Sequence, residues 1–189
     1  MARARSGSPG LGDARVSSFA PQVGEGCRVL VLGTAPSVRS LELQQSYAHP
    51  QNLFWPFMGE LFDAGPELPY EERIARLHHR GIGIWDVLES CERPGSLDSA
   101  IRPGSEIAND IPALLERHPT IGALAINGAK ALQVFQRRIE PAIAPARRAR
   151  LGVLALPSTS PANASIPRAE KLARWRAVRD LGTGRDSPP

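Results

Sequence analysis

Four short apolar runs constrain this chain most: Arg28-Val-Leu-Val-Leu-Gly33, Gly83-Ile-Trp-Asp-Val-Leu88, Ile121-Gly-Ala-Leu-Ala-Ile126 and Leu151-Gly-Val-Leu-Ala-Leu156. Each is strand length, and little in them alternates polar with apolar, so these strands need cover on both faces. Helical patterns separate them. One begins near Asn52 and runs its apolar residues Phe54, Trp55, Phe57, Met58, Leu61 and Phe62 along one side, with Pro56 in its first turn. Others span Tyr70 to His79, Ala129 to Ile139, and a basic stretch from Arg168 to Arg179. A further helix, capped by Asn109 or Asp110 with Pro112 in its first turn, reaches His118. Strands alternating with helices predict an α/β fold: a three-layer α/β/α sandwich around a mostly parallel four-stranded sheet.

The 189 residues suit one domain. The expected division is a loose Gly-, Ser- and Arg-rich arm over 1–22, a folded domain over 23–181, and a tail over 182–189. The segment from Gly33 to Ser46 reads as a loop, and Glu89 to Ile101 as a long polar loop of the kind that usually has a function. Two cysteines, Cys27 and Cys91, build neither a disulfide framework nor a four-cysteine cluster. No run approaches the roughly 20 apolar residues of a membrane span. Arginines at the N-terminus lack a following apolar stretch, so no secretory signal is read and a cytoplasmic location is expected. The net charge of +4 is unevenly spread: between Arg137 and Arg185 eleven Arg or Lys face three acidic residues. That bias suits an anionic partner such as DNA, or equally a solvated arginine-rich surface.

Two segments follow buried runs and so belong at the C-terminal edge of the sheet, where α/β proteins hold their sites. They are Gly33-Thr-Ala-Pro-Ser37, continuing to Tyr47-Ala-His-Pro-Gln-Asn-Leu-Phe-Trp55, and Leu156-Pro-Ser-Thr-Ser-Pro-Ala-Asn163. Both are rich in neutral hydrogen-bonding groups, and neither contains a nucleophile triad or a metal cluster. With Gly83-Ile-Trp-Asp-Val-Leu-Glu-Ser-Cys91, Gly95-Ser-Leu-Asp-Ser99 and Asn127-Gly128, this ordered set resembles the uracil-DNA glycosylase superfamily. It is most similar to the hypoxanthine-DNA (deoxyinosine) glycosylase branch, near the mismatch-specific uracil/thymine glycosylases. The resemblance covers Cys27 to Trp175. The chain departs from it at Ala35, where the mismatch-specific branch has Asn, and it has no Asp in the first motif. Ser158-Thr159-Ser160 stands where classical uracil glycosylases carry a His.

The resemblance implies a monofunctional DNA glycosylase that cuts the N-glycosidic bond of uracil or hypoxanthine after the base leaves the stack. It implies no metal, no organic cofactor, and a monomer acting on uracil- or deoxyinosine-containing DNA at the nucleoid. Asn52 then orients the attacking water, its alternative being a helix cap before Phe54. Asp98 is a reserve catalytic carboxylate or a brace for the long loop. Phe54 stacks on the flipped base or belongs to the core. The backbone around Thr34, Ala35 and Ser37 forms the pocket floor, and Tyr47 and His49 line the pocket or meet sugar and phosphate. Asn127 reads the base edge or closes a strand-to-helix turn. Ser158, Thr159 and Ser160 contact phosphate, Ala162 and Asn163 form the tip of a loop that enters the duplex, and Arg168 and Lys171 add phosphate affinity. Arg174 and Arg176 share that helix, and a solvated face is the alternative for all its basic residues. Lys130 is the one lysine near enough to keep Schiff-base chemistry open. Two rivals stand beside this: a non-catalytic DNA-binding protein on the same scaffold, and a hydrolase of free deoxynucleosides.

Overall fold

The structure is a computed structural model that describes residues 15–182. The elements are β1 (Arg15–Ser17), β2 (Val29–Gly33), α1 (Val38–Leu43), α2 (Phe54–Phe62), α3 (Tyr70–His79), β3 (Ile82–Asp86), β4 (Leu88–Glu92), β5 (Ile107–Ala108), α4 (Ile111–Arg117), β6 (Ala123–Asn127), α5 (Ala129–Val134), α6 (Pro145–Arg148), β7 (Gly152–Leu156) and α7 (Arg168–Gly182). Strands β3-β2-β6-β7 form a four-stranded, wholly parallel sheet. The four apolar runs supply these strands, and helices cover both faces.

Period-2 alternation sorts the core into two halves. Leu30, Leu32, Leu124 and Ile126 pack on one side with Leu114, Val134 and Phe135. Val29, Val31, Ile84 and Ala125 pack on the other with Phe57, Met58 and Trp175. The same alternation fixes the last residue of each strand. Gly33 pairs with Asp86, and Asn127 pairs with Leu156. Asp86, Gly33 and Asn127 therefore continue the rows of Ile84, Val31 and Ala125 at the C-terminal edge of three neighbouring strands.

Several expectations are corrected. The arm does not run to residue 22: Arg15–Ser17 pairs antiparallel with β4, and Gln22 bridges to Ile84. The first part of the arm, 1–14, lies outside the described residues. The run Gly83–Leu88 divides into two strands, and the supposed long loop opens as β4 of a second, three-stranded antiparallel sheet, β1-β4-β5. The burial of β4 alternates only over Leu88, Glu89 and Ser90, buried, exposed, buried, after which Cys91 is buried as well. Within Gly33–Ser46, Ser37 caps α1 by accepting the Ser40 N–H at 3.1 Å. The helix after Asn127 turns π-helical over Phe135–Ile139. α7 extends to Gly182, whose carbonyl accepts from Arg28 Nε at 2.7 Å, so the tail begins later than residue 182. Residues 183–189 lie outside the described residues. No helix among those described is long and apolar enough to cross a membrane. Cys27 and Cys91 are buried free thiols, and burial pushes Cys27 up to about 11, leaving it protonated and unreactive.

Candidate active site

A cavity of about 290 Å³ opens at the C-terminal edge of the parallel sheet, over the row Asp86–Gly33–Asn127. Its walls come from the loop after β2, the segment before α2, the loop after β4, and the loop between β7 and α7. This lies near the small end of ligand pockets, about 300–1,000 Å³, and suits one base-sized group.

The loop after β2 is held from both sides. Val87 N donates to Gly33 O at 2.8 Å and Leu88 N to Thr34 O at 3.1 Å. Thr34 Oγ1 donates to Asp98 Oδ2 at 2.8 Å. Arg93, only 2% exposed, donates to Pro36 O and, through Nε, to Gly95 O at 3.2 Å, with Nη1 3.7 Å from Asp98 Oδ1. Asp98 thus both braces the long loop and lines the cavity beside Thr34, Ala35 and Ser37. Burial raises its carboxyl above the ordinary range, against the Thr34 hydrogen bond and the charges of Arg93 and Lys130.

Tyr47 has a left-handed backbone, φ 58°, which a bulky residue adopts only when its surroundings enforce it. Its neighbours supply that force: Ser46 N donates to Tyr70 Oη at 3.0 Å, and Ala48 N to Ser40 Oγ at 3.2 Å. The Tyr47 ring stacks on Phe54 with centroids 3.8 Å apart and planes at 19°. Phe54 is fully buried in the core and does not line the cavity. The stacking role expected of Phe54 is therefore corrected in favour of its alternative, a place in the core: the aromatics lining the cavity are Tyr47, Phe19 and Trp85. The Tyr47 hydroxyl is buried and makes no well-formed hydrogen bond. His49 is half-buried outside the lining, where its Nδ1 accepts from Gln51 N at 3.2 Å.

Asn52 lines the cavity while its Oδ1 accepts from Phe54 N at 2.9 Å. Standing one residue before the N-cap Leu53, it closes a local side-chain turn at the start of α2, and the second lone pair of that oxygen stays open. Asn127 is tied twice to Thr159: Nδ2 donates to Oγ1 at 2.9 Å, and Oδ1 accepts from Thr159 N at 3.0 Å. Thr159 O in turn accepts from Leu53 N at 3.0 Å. Asn127 thus joins the two principal loops, and one N–H and one lone pair remain for a ligand. The expected reading of a base edge is left to that N–H and lone pair, and the alternative, local satisfaction, holds for the other two groups.

The loop Ser158–Asn163 borders the cavity. Ser158 Oγ accepts from Ser160 N at 3.2 Å, and Ser160 Oγ from Ala162 N at 3.3 Å, so these hydroxyls first shape the loop. Thr159 is fully buried and cannot meet a phosphate, which corrects its expected DNA contact. Ala162 is exposed at the mouth, with Asn163 half-buried beside it. Lys171 is also corrected. It is 2% exposed and sits on the apolar face of α7 with Leu172, Trp175 and Val178, its ammonium donating to Ser158 O at 2.7 Å and to Asn163 O. Burial lowers its pKa. It clamps the loop from beneath. Arg168 lies exposed outside the cavity, paired with Glu60 and 5.7 Å over the Phe57 ring. Lys171→Gln is expected to weaken DNA binding while leaving the slope of log affinity against log salt unchanged. A phosphate contact would instead remove about 0.9 from that slope. Titration of binding at several salt concentrations separates the two.

Asp86 and Arg93 carry no role in the sequence reading. Asp86 ends the row of Ile82 and Ile84 on the last position of β3, which was the available signal. Its main chain is pinned by Asn109, whose Nδ2 donates to Asp86 O at 2.8 Å and whose N–H donates to Val87 O at 2.9 Å. Burial, opposed by Arg93 and reinforced by Asp98, raises the Asp86 carboxyl from 3.8 to about 7. A carboxyl that holds its proton more tightly when folded stabilises fully below about pH 4 and loses that contribution as pH rises to about 7. Asp86→Asn, which cannot ionise, is expected to gain stability over wild type across that window, by at most about 4 kcal/mol at 1.36 kcal/mol per unit. Chemical denaturation of both proteins from about pH 4 to pH 8.5 checks this. A gap that stays constant would show that Asp86 keeps its ordinary acidity.

Among the described residues no group of three or more His, Cys, Asp or Glu could hold a metal ion. Lys130 lines the cavity with its ammonium 2.7 Å from Glu106 Oε1, which pulls the Glu106 pKa down.

The chain that builds this cavity matches known proteins in sequence and in fold. The family model of the Uracil DNA glycosylase superfamily matches residues 21–182. A protein of Methanosarcina acetivorans named hypoxanthine DNA glycosylase is 34% identical over 161 residues, covering 85% of this chain and 95% of its own. A Methanosarcina barkeri protein of the same name is 31% identical over 113 residues, 59% of this chain and 70% of its own. A solution NMR structure of a candidate uracil DNA glycosylase from Methanosarcina acetivorans has a TM-score of 0.72 at 30% identity, covering 89% of this chain and 99% of that one. The chain belongs to the uracil DNA glycosylase superfamily. Its enzyme class is that of the DNA glycosylases.

Proposed function

We propose that the protein is a monofunctional glycosylase that releases hypoxanthine or uracil from DNA and leaves an abasic site. The observation carrying this reading is the base-sized cavity over Gly33, walled by Asn52, Tyr47, Asn127 and two carboxyls. The two relatives named for hypoxanthine favour that base. In the reaction the base–C1′ bond breaks with its electron pair passing to the base. Water adds to C1′ and releases a proton to solvent. Asn52 holds that water through its open lone pair; an amide accepts a hydrogen bond but is too weak a base to take the proton. Lys130 is engaged by Glu106 Oε1 at 2.7 Å, which supports hydrolysis over Schiff-base strand cleavage. Ser158, Ser160 and Asn163 border the strand path, with Arg168 and the other arginines of α7 as candidate phosphate contacts.

The test is base release under enzyme excess from single- and double-stranded DNA carrying deoxyinosine or uracil. Free base should accumulate, with strands intact until alkali is added. Nicking before alkali would exclude a monofunctional enzyme. Tight binding without release would make the protein a non-catalytic binder, and cleavage of free deoxyinosine alone would make it a nucleoside hydrolase.

A further inference from the structure

We propose that Asp86 and Tyr47 form the base-reading floor of the cavity, the Asp86 carboxyl pairing with the adjacent N–H and C=O of a lactam ring. The assignment rests on the glycosylase reading and goes beyond it by naming the groups that recognise the base. Three observations carry it.

First, both groups are unspent. The Tyr47 hydroxyl is buried and makes no well-formed hydrogen bond, with the Asn127 amide beside it. The carboxyl of Asp86 receives no hydrogen bond from any described residue, although its main chain is held on both sides. Buried polar groups in native proteins are nearly always paired, so the Tyr47 hydroxyl is an exception, and the half-buried Asp86 carboxyl opens onto the same cavity beside it; together they point to a missing ligand. Second, they converge. A Cβ on Gly33 would lie 2.6 Å from Asp86 Oδ1 and 2.9 Å from Tyr47 Oη. Absence of that one side chain lets strand β3 and the segment before α2 present both groups to the same space. Third, the chemistry fits. A protonated carboxyl offers a donor and an acceptor side by side, the complement of N1–H and O6 in hypoxanthine or N3–H and O4 in uracil.

Burial holds the Asp86 proton to about pH 7, while Tyr47 stays protonated at every working pH. The charged groups acting on Asp86 are Arg93 and Asp98, and Lys130 lines the same cavity. As the glycosidic bond breaks, negative charge moves onto the base carbonyl. The Asp86 O–H and Tyr47 O–H then donate to an oxygen of growing charge, so they stabilise the transition state more than the bound substrate. An ionised Asp86 would repel the same oxygen.

The experiment measures single-turnover base release by the full chain, from duplexes carrying hypoxanthine or unsubstituted purine, which lacks both lactam partners. Wild type should prefer hypoxanthine, and its rate should fall above about pH 7, where Asp86 ionises. Asp86→Ala should lower hypoxanthine release about 10²-fold below neutral pH and erase that preference. Asp86→Asn, which keeps a donor and an acceptor, should restore most of the rate and flatten the pH profile; it also serves if the alanine variant fails to fold. Equal losses on both bases, or an unchanged preference, would overturn the assignment and leave the glycosylase reading standing. Wild type that releases neither of these bases nor uracil from DNA would overturn that reading and the assignment with it.

Discussion

Asn52→Ala is expected to slow single-turnover base release by about 10²–10⁴-fold. Its effect on stability should be small, about 1 kcal/mol, which is the value of one such local hydrogen bond. The two numbers separate its two duties. Its Oδ1 closes the start of α2 by accepting from Phe54 N at 2.9 Å, and the cavity side of the same oxygen is open to water. Ala35 offers no polar group on the opposite wall, so no side chain there replaces the lost acceptor. Asn52→Asp keeps the acceptor for Phe54 N and an oxygen toward the water, and should retain more activity than the alanine variant. Melting curves and base release on the same samples measure both effects. A folded Asn52→Ala protein with the wild-type rate would reduce Asn52 to the closure of that turn.

How far the sequence reaches depends on which interactions are local. The parallel sheet was legible because four apolar runs can only be covered on both faces. α3 was legible to the residue, since Tyr70–His79 has a clean amphipathic pattern and Pro69 before it. The small antiparallel sheet was not. Its strands are short, and β1 is held to β4 by pairing across a long sequence separation, Arg15 with Glu92. Within the site, loops were legible but the direction of side chains was not. Phe54 and Tyr47 are seven positions apart, and only their stacking decides which ring meets the cavity. Lys171 is basic in a basic helix, yet its spacing to Trp175 and Val178 sets it on the buried face. Asp86 had a readable signal, the strand alternation from Ile82 and Ile84, but its meaning needed Gly33 beside it on the next strand.

Arg93 is the residue on which fold and site depend together, and its replacement should damage both. Arg93→Met is expected to destabilise the protein by about 2–4 kcal/mol, because it strands the buried acceptor Pro36 O and takes the cation from the half-exposed Asp98 carboxyl. The guanidinium spends its nitrogens on three targets in two loops: Pro36 O after β2, and Gly95 O and Asp98 after β4. That fork sets the distance between the loops, so base release should also fall about 10²-fold from misplacement of the Thr34–Asp98 wall. Arg93→Lys tests whether charge or shape matters. A single ammonium cannot reach all three groups, so lysine should recover little of the stability and less of the rate. Arg93→Met also removes the main charge that opposes proton retention by Asp86, so Asp86 should ionise at higher pH in that variant if the fold survives, whereas Arg93→Lys keeps a cation there. Denaturant melts and pH–rate profiles of the two variants measure these effects. A lysine variant with wild-type stability and rate would show that Arg93 acts only as a charge, and that the loops find their spacing without it.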